Sequence, residues 1–330
     1  MFFARGRMNP FQPSMTASSP HPPQHAYWAL ALLATRPKFL TASASPVLVG
    51  SLAGLAAVGT FQWPLFILAL LGIMALHAGA NAVNDYYDHV SGNDWANANP
   101  TPFSGGRRFI QQGVLTPRQT LLIGLAFFGI GAAVGLAILA WTRSAFILAL
   151  GLAGLLGGFF YTARPIQLGY RGVGELVIAF LFGLLPVYGS YALQTGRVDG
   201  VPLLPALTVA ALIFEIILIN EFPDRHADAQ VGKRTLVVWL GVRAAVGVYR
   251  AVLAASFVCA AVMLWTDVTF WAGLLYGLTL PLGVLAWRAA NRSDLETPGR
   301  WRANQVTVLL HAAGSLALAI GLWVHYALAW

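Results

Sequence analysis

The sequence predicts an all-α polytopic membrane protein whose helices pack into one bundle, and three observations carry that prediction. Of the 330 residues, 58% are hydrophobic and only 10% charged, against about 25% charged in an ordinary soluble domain. Apolar runs of about 20 residues recur, each long enough as a helix to cross a hydrocarbon core of about 30 Å. The basic residues sit in short loops between those runs, and mean hydropathy is +0.67. Length alone would suggest two soluble domains. A bundle of spanning helices instead makes residues 26–330 a single domain.

Residues 1–25 are rich in Pro, Ser, Gln and His and have no long apolar stretch. A disordered tail is expected there rather than a cleaved signal peptide. Residues 26–35 read as a short amphipathic helix lying at the interface. Nine spans follow, at about 39–60, 63–85, 117–141, 143–162, 173–194, 202–221, 244–265, 269–289 and 304–328. Gly and Ala are frequent within them, as in Gly151-Leu-Ala-Gly-Leu-Leu-Gly-Gly158, which permits close helix contact. No longer repeat is visible.

The loops divide by charge. The tail and the loops at about 86–116, 163–172, 222–243 and 290–303 carry nearly all the loop Arg and Lys, Arg292 and Arg300 included; the opposite side shows only Arg143 and Arg197. The positive-inside rule makes the basic side cytoplasmic, with the N-terminus inside and, for an odd number of spans, the C-terminus outside. The net charge of +8 thus reads as topology determinants and anion ligands, not as a nucleic-acid surface. The lone cysteine, Cys259, lies inside an apolar run, so neither a disulfide nor a thiolate zinc site is available.

Two polar clusters break this apolar pattern. The first is Asn81-Ala-Val-Asn-Asp85-Tyr-Tyr-Asp88-His-Val-Ser-Gly-Asn-Asp94, at the end of the second span. At helical spacing Asn81 stacks over Asp85 and Asn84 over Asp88, so oxygen ligands converge on one side. The second is Asn220-Glu-Phe-Pro-Asp224-Arg-His-Ala-Asp228. Such carboxylates are costly beside a membrane unless cations sit against them, and two hard-oxygen clusters suit Mg2+ completed by substrate phosphates. Each is followed by a Gly and basic residues, Ser104-Gly-Gly-Arg-Arg108 and Gly232-Lys-Arg-Thr235, a pattern fit for phosphate oxygens. Arg36, Arg164 and Tyr161 are further candidates.

The bland readings are that loop arginines mark topology and that an Asp at a helix end is a cap. Six carboxylates in two short stretches fit the second poorly. Glu221 falls outside the helical stack, and His89 and His226 read as interfacial rather than as ligands. Glu175 and Glu215 lie deeper, as packing or pocket residues. Pro223 is expected to break the helix at the second cluster. An ion-coupled transporter is the competing reading; against it, both clusters lie at one face and no inverted repeat is seen.

At these residues the chain resembles the UbiA superfamily of intramembrane prenyltransferases. The second cluster fits the family's Asn-x-x-x-Asp-x-x-x-Asp motif at Asn220, Asp224 and Asp228. In the first, His89 stands where a strict copy has Asp. That form, with Thr101-Pro-Phe-Ser-Gly-Gly106 and the stretch from Tyr161 to Glu175, resembles the dihydroxynaphthoate branch of menaquinone biosynthesis. The resemblance implies nine helices around a central cavity in the bacterial cytoplasmic membrane. It implies one Mg2+ held by Asp85 and Asp88 with Asn81, Asn84 and Asp94, and another held by Asp224 and Asp228 with Asn220. An isoprenyl diphosphate would bridge the metals, with Lys233, Arg234, Arg107, Arg108, Arg164 and Arg36 as its partners. An aromatic acceptor would attack the allyl cation; in that branch the prenyl group replaces the ring carboxylate, which leaves as CO2.

Overall fold

The computed structural model describes residues 24–97, 100–103, 106–291, 295–297 and 299–330. Most of the expected tail, Ser104, Gly105 and Arg292 lie outside the described residues. Among the described residues the fold is helical throughout, and the sole β-type pairing is an isolated bridge between Arg171 and Arg234.

Helix α1 covers Gln24–Ala34 and is followed by Arg36 in the left-handed region, which turns the chain into α2 (Thr41–Val58). α3 runs Trp63–Ser91 and stops at Gly92, whose φ of 85° suits a residue without a side chain. A one-turn helix, α4 (Asn93–Ala96), follows. α5 (Pro117–Thr142) opens on a capping box, Thr116 with Gln119, and ends at Arg143. α6 is Ala145–Phe160. α7 (Gly174–Ala179) and α8 (Leu185–Thr195) are joined without interruption by a π turn at Phe180–Leu184. Then come α9 (Leu203–Gln230), α10 (Leu236–Met263), α11 (Phe270–Gly277), α12 (Leu280–Ala289) and α13 (Arg302–Ala329).

Among the described residues seven helical segments are long and apolar enough to cross a membrane, or eight if α11 and α12, bent by 50° at their break, form one span; nine are not reached by that measure. The difference is α6, whose 16 residues reach only about 24 Å at helical rise. Two other boundaries move. α3 and α9 continue well past the expected ends, carrying both clusters as helix. α10 starts earlier than expected because a short first turn precedes a break at Gly241, where φ is 77°.

The α9 result reverses the expectation at Pro223, which sits inside a continuous helix. Proline has no N–H, so the carbonyl four residues earlier loses its helical donor. That carbonyl is Ile219 O, and Asn304 of α13 donates Nδ2 to it at 3.2 Å. A neighbouring side chain thus satisfies the backbone group that proline leaves open, as a low-dielectric setting requires.

The main core is built from α2, α8, α9, α10, α11 and α13 around Val49, Val187, Leu212, Leu218, Tyr249, Leu310 and Leu322. Close contact depends on small residues. A side chain at Gly50 would run into the backbone of Val187. The outside is apolar as well: Leu136 is 65% exposed and Trp265 81%. Such a surface is stable against lipid and costly against water.

Candidate active site

The two clusters meet at one end of the bundle. α3 brings Asn81, Asn84, Asp85 and Asp88 along one face, and α9 brings Asn220, Glu221, Asp224 and Asp228. Between them opens a cavity of about 230 Å³ whose polar end is lined by Asn81, Asn84, Asp88, Asn220, Asp224 and Asp228, with Arg36, Lys233 and Tyr161. Its apolar end is lined by Ala80, Phe182, Ile213, Ile216 and Ile217.

Two carboxamides that the sequence reading gave no role lock the clusters together. Asn93 Nδ2 donates to Asp228 Oδ1 at 3.0 Å, and Asn97 Nδ2 donates to Asp224 Oδ1 at 2.9 Å. These two residues, four apart on and just after α4, belong to the first cluster's loop and orient the second cluster's carboxylates. Their signal was present in sequence as one more carboxamide pair at helical spacing. Gln111 Nε2 holds Asp94 Oδ2 at 2.7 Å. Arg108 donates to the backbone carbonyls of Asp94 and Asn97, so its guanidinium shapes this loop rather than facing the cavity.

Cations oppose the carboxylates. Arg36 pairs with Asp85 Oδ1 and reaches Asn84 Oδ1 at 3.3 Å. Gly106 permits this: its α-carbon lies against that ion pair, and any side chain there would collide with Asp85. Burial works against the Arg36 charge, but Asp85, Asp88 and Asp94 together outweigh it and raise its pKa. Lys233 Nζ lies 3.2 Å from Asp228 Oδ1. Burial likewise opposes its charge, and Asp228 and Asp88 overcome that and push it well above the usual lysine range. Burial, reinforced by Asp88 and Asp85, pushes the Asp94 carboxyl up to about 8. Tyr170, with Lys233 5.9 Å from its ring centre, is pushed up by burial and by Asp88 to about 12.

The remaining candidates separate by position. Arg107 lines an adjoining pocket with Arg36 and Phe103. Arg164 and Arg234 are exposed and do not line the cavity. Asp94 is buried in the loop behind the cavity wall. Asn220 lines the cavity, while its Oδ1 accepts from Asn304 at 2.9 Å. Asn81 donates Nδ2 to Thr35 O at 2.9 Å, tying α3 to the turn that carries Arg36. Glu221, set aside from sequence, is buried and lines the cavity. Glu175 Oε1 accepts from the Leu236 N–H at 2.6 Å and so anchors the start of α10, whereas Glu215 is buried away from the cavity. His89 is buried beside Trp95 rather than interfacial, and His226 is exposed near Glu296.

The donor set suits a hard cation. Asp88 Oδ1 and Asp228 Oδ2 are buried with no hydrogen-bond partner, which costs free energy unless a cation or donor meets them. Asn81 and Asn84 line the same cavity, and no thiol does. Oxygen ligands of this kind fit Mg2+ rather than zinc. Among the described residues no group of three His, Cys, Asp or Glu side chains gathers as a metal nest, so any metal here would be completed by carboxamides and by a ligand's own oxygens.

Comparison with known proteins gives a consistent picture. The profile of the UbiA prenyltransferase family matches residues 43–312. A Mycobacterium leprae protein named 1,4-dihydroxy-2-naphthoate octaprenyltransferase is 34% identical over 230 residues, covering 69% of this chain and 75% of its own. A Haemophilus influenzae protein of the same name is 27% identical over 296 residues, 87% of this chain and 94% of its own. Among solved structures, a UbiA homolog from Archaeoglobus fulgidus bound to DMAPP and Mg2+ superposes with a TM-score of 0.65 at 17% identity, over 88% of this chain and 99% of that one. The apo UbiA homolog from Aeropyrum pernix K1 gives 0.63 at 16% identity, over 86% and 97%.

Proposed function

The chain belongs to the UbiA prenyltransferase family and is a prenyltransferase; from that premise we propose that it transfers a polyprenyl group from an isoprenyl diphosphate to 1,4-dihydroxy-2-naphthoate, releasing diphosphate and CO2 in menaquinone biosynthesis. The observation that carries the reaction type is the meeting of two carboxylate clusters and two half-buried cations at one end of an otherwise apolar cavity. The acceptor rests on the relatives named for that naphthoate.

Asp88, Asp224 and Asp228, with Asp85 through its second oxygen and the carboxamides of Asn81, Asn84 and Asn220, would hold Mg2+. When bound, that ion neutralises charge on the departing diphosphate. Lys233 and Arg36 stand where they supply further donors to the same oxygens. Phe182, Ile213 and Ile217 keep water from an allyl cation, and the Tyr161 side chain lines the same cavity. Attack at the carboxyl-bearing ring carbon forms the new C–C bond, and the C–CO2 bond then breaks, returning its electron pair to the ring. The basic loops gather at the cluster end, which supports a cytoplasmic orientation for it.

The test is purified protein incubated with Mg2+, octaprenyl diphosphate and one acceptor at a time. Release of labelled CO2 and a prenylated naphthoquinol from 1,4-dihydroxy-2-naphthoate is expected. Product from 4-hydroxybenzoate or a chlorin alone would sink the acceptor assignment. Solute uptake by proteoliposomes without diphosphate release would favour a transporter.

A further inference from the structure

A pocket of about 590 Å³ opens between the end of α12 and the start of α13, apart from the cavity that holds the two clusters. It is lined by Arg288, Arg300 and Arg302 with Trp301 and Gln305, and it reaches buried Leu295 and Ala303. Among the described residues no carboxylate lines it. From Arg288 to Arg302 the sequence sets four arginines against two carboxylates, Asp294 and Glu296. Arg292 and Asp294 lie outside the described residues. Glu296 is engaged elsewhere: its Oε1 accepts from Arg225 of α9 at 2.9 Å and lies 3.6 Å from His226 Nε2. Among the described residues neither Arg288 nor Arg302 has an ion-pair partner. Like charges gathered around one pocket repel, and an anion bound among them relieves that repulsion.

The surface beside the pocket says which anion fits. Leu285, one turn before Arg288 on α12, lines the pocket and is 40% exposed. On α13, Arg302, Gln305 and Leu309 follow one another along one face, and Leu309 is 53% exposed. The basic rim therefore runs directly into outward-facing apolar surface on both helices. A free anion needs only the rim, whereas a phospholipid uses both. Half-buried Trp301 has the amphipathic ring found at membrane–water boundaries. The pocket also lies at the cluster end of the bundle, because Asn304, next to Ala303, donates to Asn220 at 2.9 Å. Basic pockets between spanning helices on the positively charged side suit anionic headgroups. We propose that this pocket holds the phosphate of an anionic phospholipid, with Arg288, Arg300 and Arg302 meeting the headgroup and the acyl chains lying along Leu285 and Leu309. The proposal stands apart from the prenyl-transfer reading. A headgroup held there pins the first turn of α13, which carries Asn304.

The test is thermal melting of the full-length protein in detergent micelles doped with phosphatidylglycerol or with zwitterionic phosphatidylcholine. Phosphatidylglycerol should raise the melting temperature more than phosphatidylcholine does; equal shifts overturn the inference. In the double variant Arg288→Gln with Arg302→Gln, the phosphatidylglycerol concentration for half the shift should rise by about tenfold or more. Arg118→Gln with Arg243→Gln removes the same charge from exposed positions outside the pocket and should leave that concentration within about threefold. A rise no greater in the pocket variant than in this control means general charge attraction and overturns the site. Inorganic phosphate that stabilises the wild type as much as phosphatidylglycerol does overturns the lipid in favour of a free anion. If the pocket variant does not fold, wild-type protein in phosphatidylcholine vesicles doped with phosphatidylglycerol carrying a diazirine near its glycerol backbone decides. Crosslinks on α12 and α13 are expected, and crosslinks confined to other helices overturn the inference.

Discussion

Asn304 donates to the carbonyl of Ile219 at 3.2 Å, the carbonyl that Pro223 leaves without a helical donor, and its Nδ2 also meets Asn220 Oδ1. One side chain thereby satisfies the acceptor that proline leaves open in α9 and holds the carboxamide of a site residue. Replacing it should cost stability through an orphaned buried acceptor. Asn304→Leu is expected to lower stability by about 1–3 kcal/mol. In the Pro223→Ala background, residue 223 regains an N–H for Ile219, so the same substitution should cost less by at least about 0.5 kcal/mol. Equal costs in the two backgrounds, measured by denaturant unfolding in detergent, would show that Asn304 does not serve this carbonyl.

That pair also explains which features were legible in the sequence. The apolar runs and the spacing of Asn81, Asn84, Asp85 and Asp88 are local, and local periodicity reports a helical face directly. Pro223 is also local and predicts a break, but the group that removes the break lies on the last helix. Arg108 looked like a phosphate ligand because its neighbours are Gly and Arg; only tertiary contact shows its guanidinium spent on loop carbonyls. α6 reads as a full span by hydropathy, yet Arg143 in the left-handed region and the turn after Phe160 cut it short. Asn93 and Asn97 had the right spacing, but the carboxylates they serve, Asp228 and Asp224, lie on α9, so only tertiary contact marks them as part of the site.

The α4 loop should therefore control catalysis more than folding. Asn93→Ala removes the carboxamide donor to Asp228, and Asn97→Ala removes the one to Asp224. Each should reduce kcat by about tenfold, near 1.4 kcal/mol of transition-state stabilisation, and raise the Mg2+ concentration for half-maximal rate. Asn93→Asp puts like charge against Asp228 and should be worse. Unchanged Mg2+ dependence in all three variants would remove the loop from the site.

Asp94 should behave unlike its cluster neighbours. It lies behind the cavity wall, held by Gln111, and its carboxyl is pushed from 3.8 up to about 8 by burial with Asp88 and Asp85. A raised carboxyl pKa means that the fold favours the protonated form. The stability Asp94 contributes is therefore present below about pH 4 and lost as pH rises through about 8. Asp94→Asn, which resembles the protonated acid, should flatten the pH dependence of the metal-free protein's melting temperature across that window and retain most activity. Activity lost as fully as in the Asp88 variant would make Asp94 a ligand after all.

The sharpest separation of metal site from structural cap comes from Asp88 and Asp224, one from each cluster, both lining the cavity. Asparagine keeps the size of the side chain and its hydrogen bonding but removes the charge a hard cation needs. Asp88→Asn and Asp224→Asn should each lower turnover by more than about 100-fold, roughly 2.7 kcal/mol. Folding should survive. Asp88 Oδ1 is already an unpartnered buried acceptor, and lifting a charge from a crowded acidic site relieves repulsion. If the carboxylates were only caps, the opposite pattern is expected: near-normal turnover, or turnover lost together with folded protein. Mg2+-dependent turnover and thermal melting in detergent distinguish these outcomes. A folded variant within about tenfold of wild type, about 1.4 kcal/mol, would remove that cluster from the metal-binding machinery.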